Sequence, residues 1–162
     1  MPIVLFRVDD RLIHGQVVVG WGNRLDPDRY VVVDDALAEA TWEQELYALG
    51  VPEDTGVEFA TVEEARDTLG EWSESALKTV VLFRDLETVE RLSEGGELRG
   101  REVNLGGIHH KPGSTRVLSY LYLDEKDRER LRTIESREID VTARDLPGSS
   151  RVGLERILSP GQ

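Results

Sequence analysis

The sequence predicts an α/β fold built on a mainly parallel sheet. Apolar runs of strand length alternate with charge-rich, helix-like segments, the pattern of successive βα units. Thr79 to Phe83 is a continuous apolar run, as expected of a central strand buried on both faces. At 162 residues, without an internal repeat, a low-complexity tract or a linker, the chain reads as one domain over residues 1–162.

Ile3 to Val8 is the first strand, and a helix is expected to begin near His14 and run through Trp21. Its run Val17-Val18-Val19 is a poor local helix signal, because β-branched side chains are stiff at χ1. That assignment therefore leans on the alternation of elements. Tyr30 to Val33 is the second strand, closed by Asp34-Asp35, and Asp35 is expected to cap a helix from Ala36 to Leu49. Val57 to Ala60 is a short third strand. Thr61-Val62-Glu63-Glu64 then has the capping-box form that opens a helix to about Trp72. After the fourth strand, Asp85 to Ser93 reads as a helix ended by Gly95-Gly96. Glu102 to Leu105 is strand-like and stops at Gly106-Gly107. Val117 to Leu123 has strand composition, Asp124 caps a charged helix to about Ser136, and Ile139 to Thr142 reads as a strand. Pro147 to Ser150 is a loop, and Val152 to Leu158 reads as a short helix.

The chain has no cysteine, which removes a disulfide framework, a thiolate metal site and a cysteine nucleophile together. Its net charge of −12 argues against nucleic-acid binding, which needs clustered Lys and Arg, and against adsorption to an anionic membrane. Acidity of this kind is otherwise a solvated surface and identifies no partner. No apolar run approaches the length of a membrane span. The start, Met1-Pro2-Ile3-Val4-Leu5-Phe6, reads straight into a strand and lacks the features of a signal peptide. A soluble cytoplasmic protein is the expectation.

Functional loops of a parallel sheet lie at the carboxyl ends of its strands. Three such loops carry unusual chemistry: Asp9 to Gly15, Arg84-Asp85, and Gly106 to Gly113. In the first, His14 stands where a strand-end loop feeds a helix, whose free amides and positive dipole favour an anion. Arg11 offers a two-pronged donor to the same anion. Gly15 has no Cβ and lets backbone approach closely. A neutral imidazole in this setting is a competent nucleophile for a phosphoryl group, although a single loop histidine is by itself more often a polar surface residue.

The run Arg7-Val8-Asp9-Asp10-Arg11-Leu12-Ile13-His14-Gly15-Gln16-Val17 closely resembles the signature of the mannose/fructose/sorbose class of phosphotransferase-system IIB domains. Val31-Val32-Val33-Asp34-Asp35, Val81-Leu82-Phe83-Arg84 and Asn104-Leu105-Gly106-Gly107 resemble further family segments, with Arg84 where lysine is more usual. The resemblance spans nearly the whole chain. It implies a seven-stranded, mostly parallel sheet with helices on both faces, in the order 3-2-4-1-5-6-7, which would make the three loops neighbours. It implies that His14 accepts a phosphoryl group through Nδ1 from a IIA protein or domain. The group then passes to a sugar carried by membrane IIC and IID subunits, with the IIB chain cytoplasmic and peripherally associated with them. A regulatory phosphocarrier without sugar transport is the alternative within the family. A homodimer is possible, and no cofactor is implied.

On this reading Arg11 holds phosphate oxygens, and the amides of residues 10 to 15, Ile13 and Gly15 among them, form the cradle. Asp10 either orients the imidazole or Arg11, or caps the turn. Gln16 either contacts the loop or faces solvent. Arg84 and Arg7 are additional cations, Arg7 with the alternative of pairing with an aspartate. Asn104, Gly106 and Gly107 shape the neighbouring loop. His109-His110-Lys111 departs from the family pattern. Adjacent histidines point differently and lack a spaced third ligand, so a solvated, flexible loop is expected there and no metal site. A receiver-type domain would need an acceptor aspartate where the third strand instead ends Phe59-Ala60-Thr61. A dinucleotide site is disfavoured because Gly20-Trp21-Gly22 lies within or after a helix.

Overall fold

The computed structural model describes residues 2–159. Its main sheet has seven strands, β1 (Ile3–Val8), β2 (Arg29–Val33), β3 (Gly56–Ala60), β4 (Thr79–Phe83), β5 (Glu102–Leu105), β8 (Asp140–Ala143) and β9 (Val152–Gly153). They run in the order β3-β2-β4-β1-β5-β8-β9. Counted along the sheet's own strands this is 3-2-4-1-5-6-7, the expected order. All pairs are parallel except β8 with β9.

Alternation along the strands sends side chains to two cores. On one face Phe6, Val8, Val31, Val33, Val81 and Phe83 pack against α3 (Val62–Glu74), α4 (Leu86–Ser93), α5 (Glu125–Ser136) and α6 (Leu154–Ile157). On the other, Tyr30, Val32, Val80 and Leu82 meet Leu12, Ile13, Val17 and Leu37. All five residues of β4 are buried, which is why its sequence carries no alternation.

Three helix starts follow the sequence signals. Thr61 and Glu64 close a capping box on α3, Asp124 and Asp127 close one on α5, and Asp85 accepts from the Thr88 amide at α4. Gly96 after α4 has φ +83°, a conformation that favours glycine.

Other expectations are corrected. The helix assigned to 36–49 is broken at Ala40 into a 3₁₀ turn, Leu37–Glu39, and α2 (Thr41–Ala48). Its first turn is capped by Asp34, which accepts from the Leu37 amide at 2.9 Å. Asp35 instead accepts from the Val62 amide at 2.8 Å, joining β2 to the start of α3. Val117 to Leu123 has the strand character expected of it but is not a strand of the main sheet. Residues there form a separate antiparallel hairpin, β6 (Thr115–Leu118) and β7 (Leu121–Leu123). The seventh sheet strand comes from Val152-Gly153, inside a segment that reads as helix because only two residues pair before α6 begins.

The valine-rich helix after His14 does form, with a reason for its weak signal. Gln16–Trp21 is a π-helical segment that continues into α1 (Gly22–Leu25), a wider winding common at functional sites. It delivers the Trp21 ring over the Arg7 guanidinium, 5.2 Å from ring centroid to Cζ, and the indole N–H to the Asp145 carbonyl at 3.0 Å.

Candidate functional site

The register of the central strands assembles the site. Val8 lies beside Phe83 on β4 and Leu105 on β5, so the loops after all three strands emerge side by side. Backbone bonds stitch them: Asp9 donates to the Phe83 carbonyl, Gly106 to that of Val8 and Asp10 to that of Gly107, at 2.9, 2.7 and 2.9 Å.

Asp9 is the centre of this junction. Its carboxylate is fully buried and meets Arg7 Nη2 at 3.2 Å, the Arg11 amide at 3.1 Å, Arg11 Nε at 3.4 Å and the Gly107 amide at 3.3 Å. His14 Nε2 stands 3.6 Å away. Sequence reasoning gave Asp9 no role, yet a signal was present. Arg7 sits in an apolar strand flanked by two others, and residue i+2 shares its face. A buried guanidinium demands an acid there.

Arg7 has no exposed surface, and it pairs with an aspartate as one of the two expectations held. It also donates to Asn104 Oδ1 and to the carbonyls of Arg144 and Asp145. Burial pushes the guanidinium below its ordinary value, and the charge and hydrogen bond of Asp9 oppose that shift. Arg7 is thus a girder under the loop, not a cation facing solvent. Gly106 is required by it: a Cβ there would sit 2.2 Å from Arg7 Nη2.

Above Asp9 the loop turns sharply. Leu12 donates to the Asp9 carbonyl and takes φ +56°, which costs a residue with a Cβ about 1–2 kcal/mol. Its side chain is completely buried, worth about 1.5–3 kcal/mol, so packing outweighs the strain. The reward is orientation. The Leu12 carbonyl lies 2.9 Å from His14 Nδ1, which must carry a proton to donate to it. Among the described residues Nε2 is buried without a hydrogen-bond partner, facing Asp9. The resting ring therefore offers neither nitrogen as an exposed lone pair.

Arg11 is partly exposed and reaches over the loop, Nη2 donating to Gln16 Oε1 at 2.6 Å. Gln16 therefore contacts the loop. The His14 carbonyl accepts from the Val17 and Val18 amides, while those of Ile13, His14 and Gly15 meet no backbone acceptor among the described residues. Apart from its chain neighbours and the adjoining helix backbone, no heavy atom among the described residues lies within 4 Å of a Cβ built on Gly15, so no distant segment packs into that space. Ile13 is buried in the second core, contributing its amide to the loop and its side chain to packing.

Three expectations change. Among the described residues the Asp10 carboxylate makes no hydrogen bond to His14 or Arg11. It accepts from the His109 amide at 2.8 Å and from His109 Nδ1 at 2.7 Å, tying the 106–113 loop to the His14 loop. That loop is accordingly held, not free: Ile108 exchanges backbone bonds with Tyr120 and Tyr122, and Lys111 Nζ meets Asp127 at 3.1 Å. His110 turns away to an edge-on contact with Tyr122. Arg84 is at the same sheet edge, but its Nε donates to Asp34 at 3.1 Å because β2 ends level with β4. Desolvation would lower Arg84, but Asp34 and the Tyr47 phenol outweigh it and hold the guanidinium above its ordinary value.

The whole of this architecture has relatives. The family model for the sorbose-subfamily IIB component of the phosphotransferase system matches residues 3–162. The chain belongs to that family. It is 34% identical over 152 residues to the N-acetylgalactosamine-specific phosphotransferase enzyme IIB component 1 of Escherichia coli K12, covering 92% of this chain and 94% of that one. A crystal structure of the E. coli N-acetylgalactosamine-specific IIB component 1 superposes with a TM-score of 0.83 at 33% identity, over 93% of this chain and 97% of that one. The mannose-specific EIIAB component of E. coli K12 is 30% identical over 98% of this chain, which spans 49% of that longer protein. The loop that holds His14 is thus the strand-end loop of a IIB component. Among the described residues, no helix of this IIB chain is long and apolar enough to cross a membrane.

Proposed function

We propose that this IIB component is the phosphoryl carrier of a sugar phosphotransferase system, a protein-Nπ-phosphohistidine–sugar phosphotransferase with His14 as the carrier. The observation that carries the reading is the junction around His14. An imidazole faces a buried carboxylate at a strand-end loop that also offers a guanidinium, free amides and the open space beside Gly15.

In the first half-reaction a IIA protein or domain presents its phosphohistidine. The bond from phosphorus to the donor's nitrogen breaks, its electron pair staying on the donor ring, as the lone pair of His14 Nδ1 forms the new P–N bond. This is displacement by positioning and charge stabilisation, not elaborate covalent chemistry. Nδ1 attack requires the bond to the Leu12 carbonyl to open and the ring proton to reside on Nε2, where Asp9 favours it. Arg11 and the amides of residues 13 to 15 stabilise the equatorial oxygens. In the second half-reaction a sugar hydroxyl, delivered by IIC and IID subunits, attacks phosphorus; the P–Nδ1 bond breaks with its electron pair returning to Nδ1, and the hydroxyl proton passes to water. His14 departs as a neutral imidazole because Nε2 is already protonated. Such a chain works in the cytoplasm, against the membrane subunits.

Incubation with the energy-coupling proteins of the system, the cognate IIA and phosphoenolpyruvate is expected to place one acid-labile, alkali-stable phosphate on the wild type and none on His14→Ala. Label that persists in a folded His14→Ala protein assigns the carrier elsewhere.

A further inference from the structure

The helix beside this loop turns its apolar residues outward. Trp42, Leu46 and Leu49 recur at i, i+4 and i+7, the spacing of a single helical stripe. They stand 66%, 56% and 82% exposed, and no residue of α2 is buried. Such a stripe ordinarily faces the core. Here Leu12, Ile13, Val17 and Leu37 already fill the core on this face of the sheet, and the stripe is left for something else.

Its position says what it adjoins. An open groove of about 360 Å³ is lined by Ile13, Trp42, Glu43, Leu46, Tyr47 and Gly50. Ile13 immediately precedes His14, so one wall of the groove is the loop that carries the imidazole. Tyr47 reaches Arg84 at the sheet edge where the loops emerge. Close around α2 the charge is acidic: residues 36–57 hold five Asp and Glu and no Lys or Arg, whereas the flanking Asp34, Asp35, Glu58 and Glu63 pair with arginines outside that stretch.

We propose that this face docks the IIA phosphoryl donor, through a donor surface of apolar side chains ringed by Lys and Arg. The inference rests on the carrier reading of His14. A donor must bring its phosphorus to about 3–3.5 Å from the imidazole, so it has to cover the mouth of the loop. A stable interface occupies roughly 800 Å² per partner, more than one loop supplies, and the adjoining apolar surface is the α2 stripe. A Trp in such a patch is the residue type that anchors interfaces. The acidic rim selects the occupant. A second copy would set acid against acid, and anionic lipid would be repelled, whereas a basic-rimmed protein is steered in.

The test uses the full chain and purified cognate phospho-IIA, with phosphoramidate as a small donor that needs no docking. Trp42→Ala and Leu46→Asp, both at exposed positions, are expected to raise the KM for phospho-IIA tenfold or more and to leave kcat within about twofold. His14 is expected to take phosphate from phosphoramidate at the wild-type rate in both. Glu43→Lys is expected to raise the same KM and to weaken its dependence on salt. An unchanged KM in both apolar variants overturns the proposal, as does a defect confined to the sugar-phosphorylating step. A wild-type dimer that Leu46→Asp turns into monomers, or vesicle binding that it abolishes, assigns the face to a second copy or to lipid and also overturns it. A wild-type chain that takes no phosphate on His14 from either donor fails the carrier reading instead, a result distinct from all of these.

Discussion

Arg7 and Asp9 form an ion pair with no solvent around it, and the value of such a pair depends on which partner is removed. Replacing both with packed apolar groups can be neutral, whereas removing one leaves a buried charge uncompensated at about 3–5 kcal/mol. Asp9→Asn keeps the shape and removes the charge from both Arg7 and His14. Urea unfolding of Asp9→Asn is expected to show a loss of about 3 kcal/mol or more. An Asn variant as stable as wild type would show that Arg7 is held by Asn104 and the carbonyls of Arg144 and Asp145 alone. The contact of Arg11 with Gln16 beside His14 was open to sequence reading, because all three lie within six consecutive residues. The central place of Asp9 was hidden because Asp10, the same residue type, stands beside it. Only burial distinguishes it from Asp10, which faces His109 at the surface.

At the scale of elements, the consecutive Asp34 and Asp35 divide their work in a way that sequence spacing does not reveal. Asp34 caps the 3₁₀ turn and holds Arg84; Asp35 crosses to α3 and to Arg91 of α4. The Val62 amide first, and the Arg91 guanidinium after it, hold the Asp35 carboxyl below its usual range. A carboxylate whose folded pKa lies below its unfolded value stabilises the fold above about pH 4 and loses that contribution as pH falls through the folded pKa. The Arg91 pair is substantially exposed and adds little, so the Val62 bond dominates. Asp35→Ala is therefore expected to cost about 0.5–2 kcal/mol at pH 7, the range for losing a helix-start acceptor. Chemical unfolding repeated at lower pH is expected to show the two proteins converging below about pH 4. A difference that stays constant with pH would mean that the lost bond is not one to an ionised carboxylate.

The molecule as a whole is organised by one topological fact: β1 lies between β4 and β5, so loops far apart in sequence share one edge. The closeness is steric as well as electrostatic, and neighbouring glycines read it differently. A methyl group on Gly106 would collide with the Arg7 guanidinium, which is fixed by its buried partners and cannot swing aside. On Gly107 the nearest atom is Arg11 Nη2 at 3.5 Å, an ordinary contact with a partly exposed side chain. Gly106→Ala is expected to lower stability by about 1–3 kcal/mol, as overpacking does, and Gly107→Ala by less than about 0.5 kcal/mol. Thermal melts of the two variants side by side check this. Equal effects would mean that Arg7 yields.

Strand β1, the capping boxes at Thr61 and Asp124, the buried run of β4 and the identity of the His14 loop were determined by the sequence alone. Each is encoded within a few consecutive residues, through alternation, capping chemistry or a dense local motif. The partners of Arg7, Asp10, Arg84 and Asp35, the break at Ala40, and the hairpin that replaces a sheet strand were decided by tertiary structure. These depend on which strand ends come level and which surfaces are already covered. The outward face of α2 belongs with them. Its stripe of Trp42, Leu46 and Leu49 has the spacing of a core-facing helix, and only the prior filling of that core by Leu12, Ile13, Val17 and Leu37 leaves it exposed.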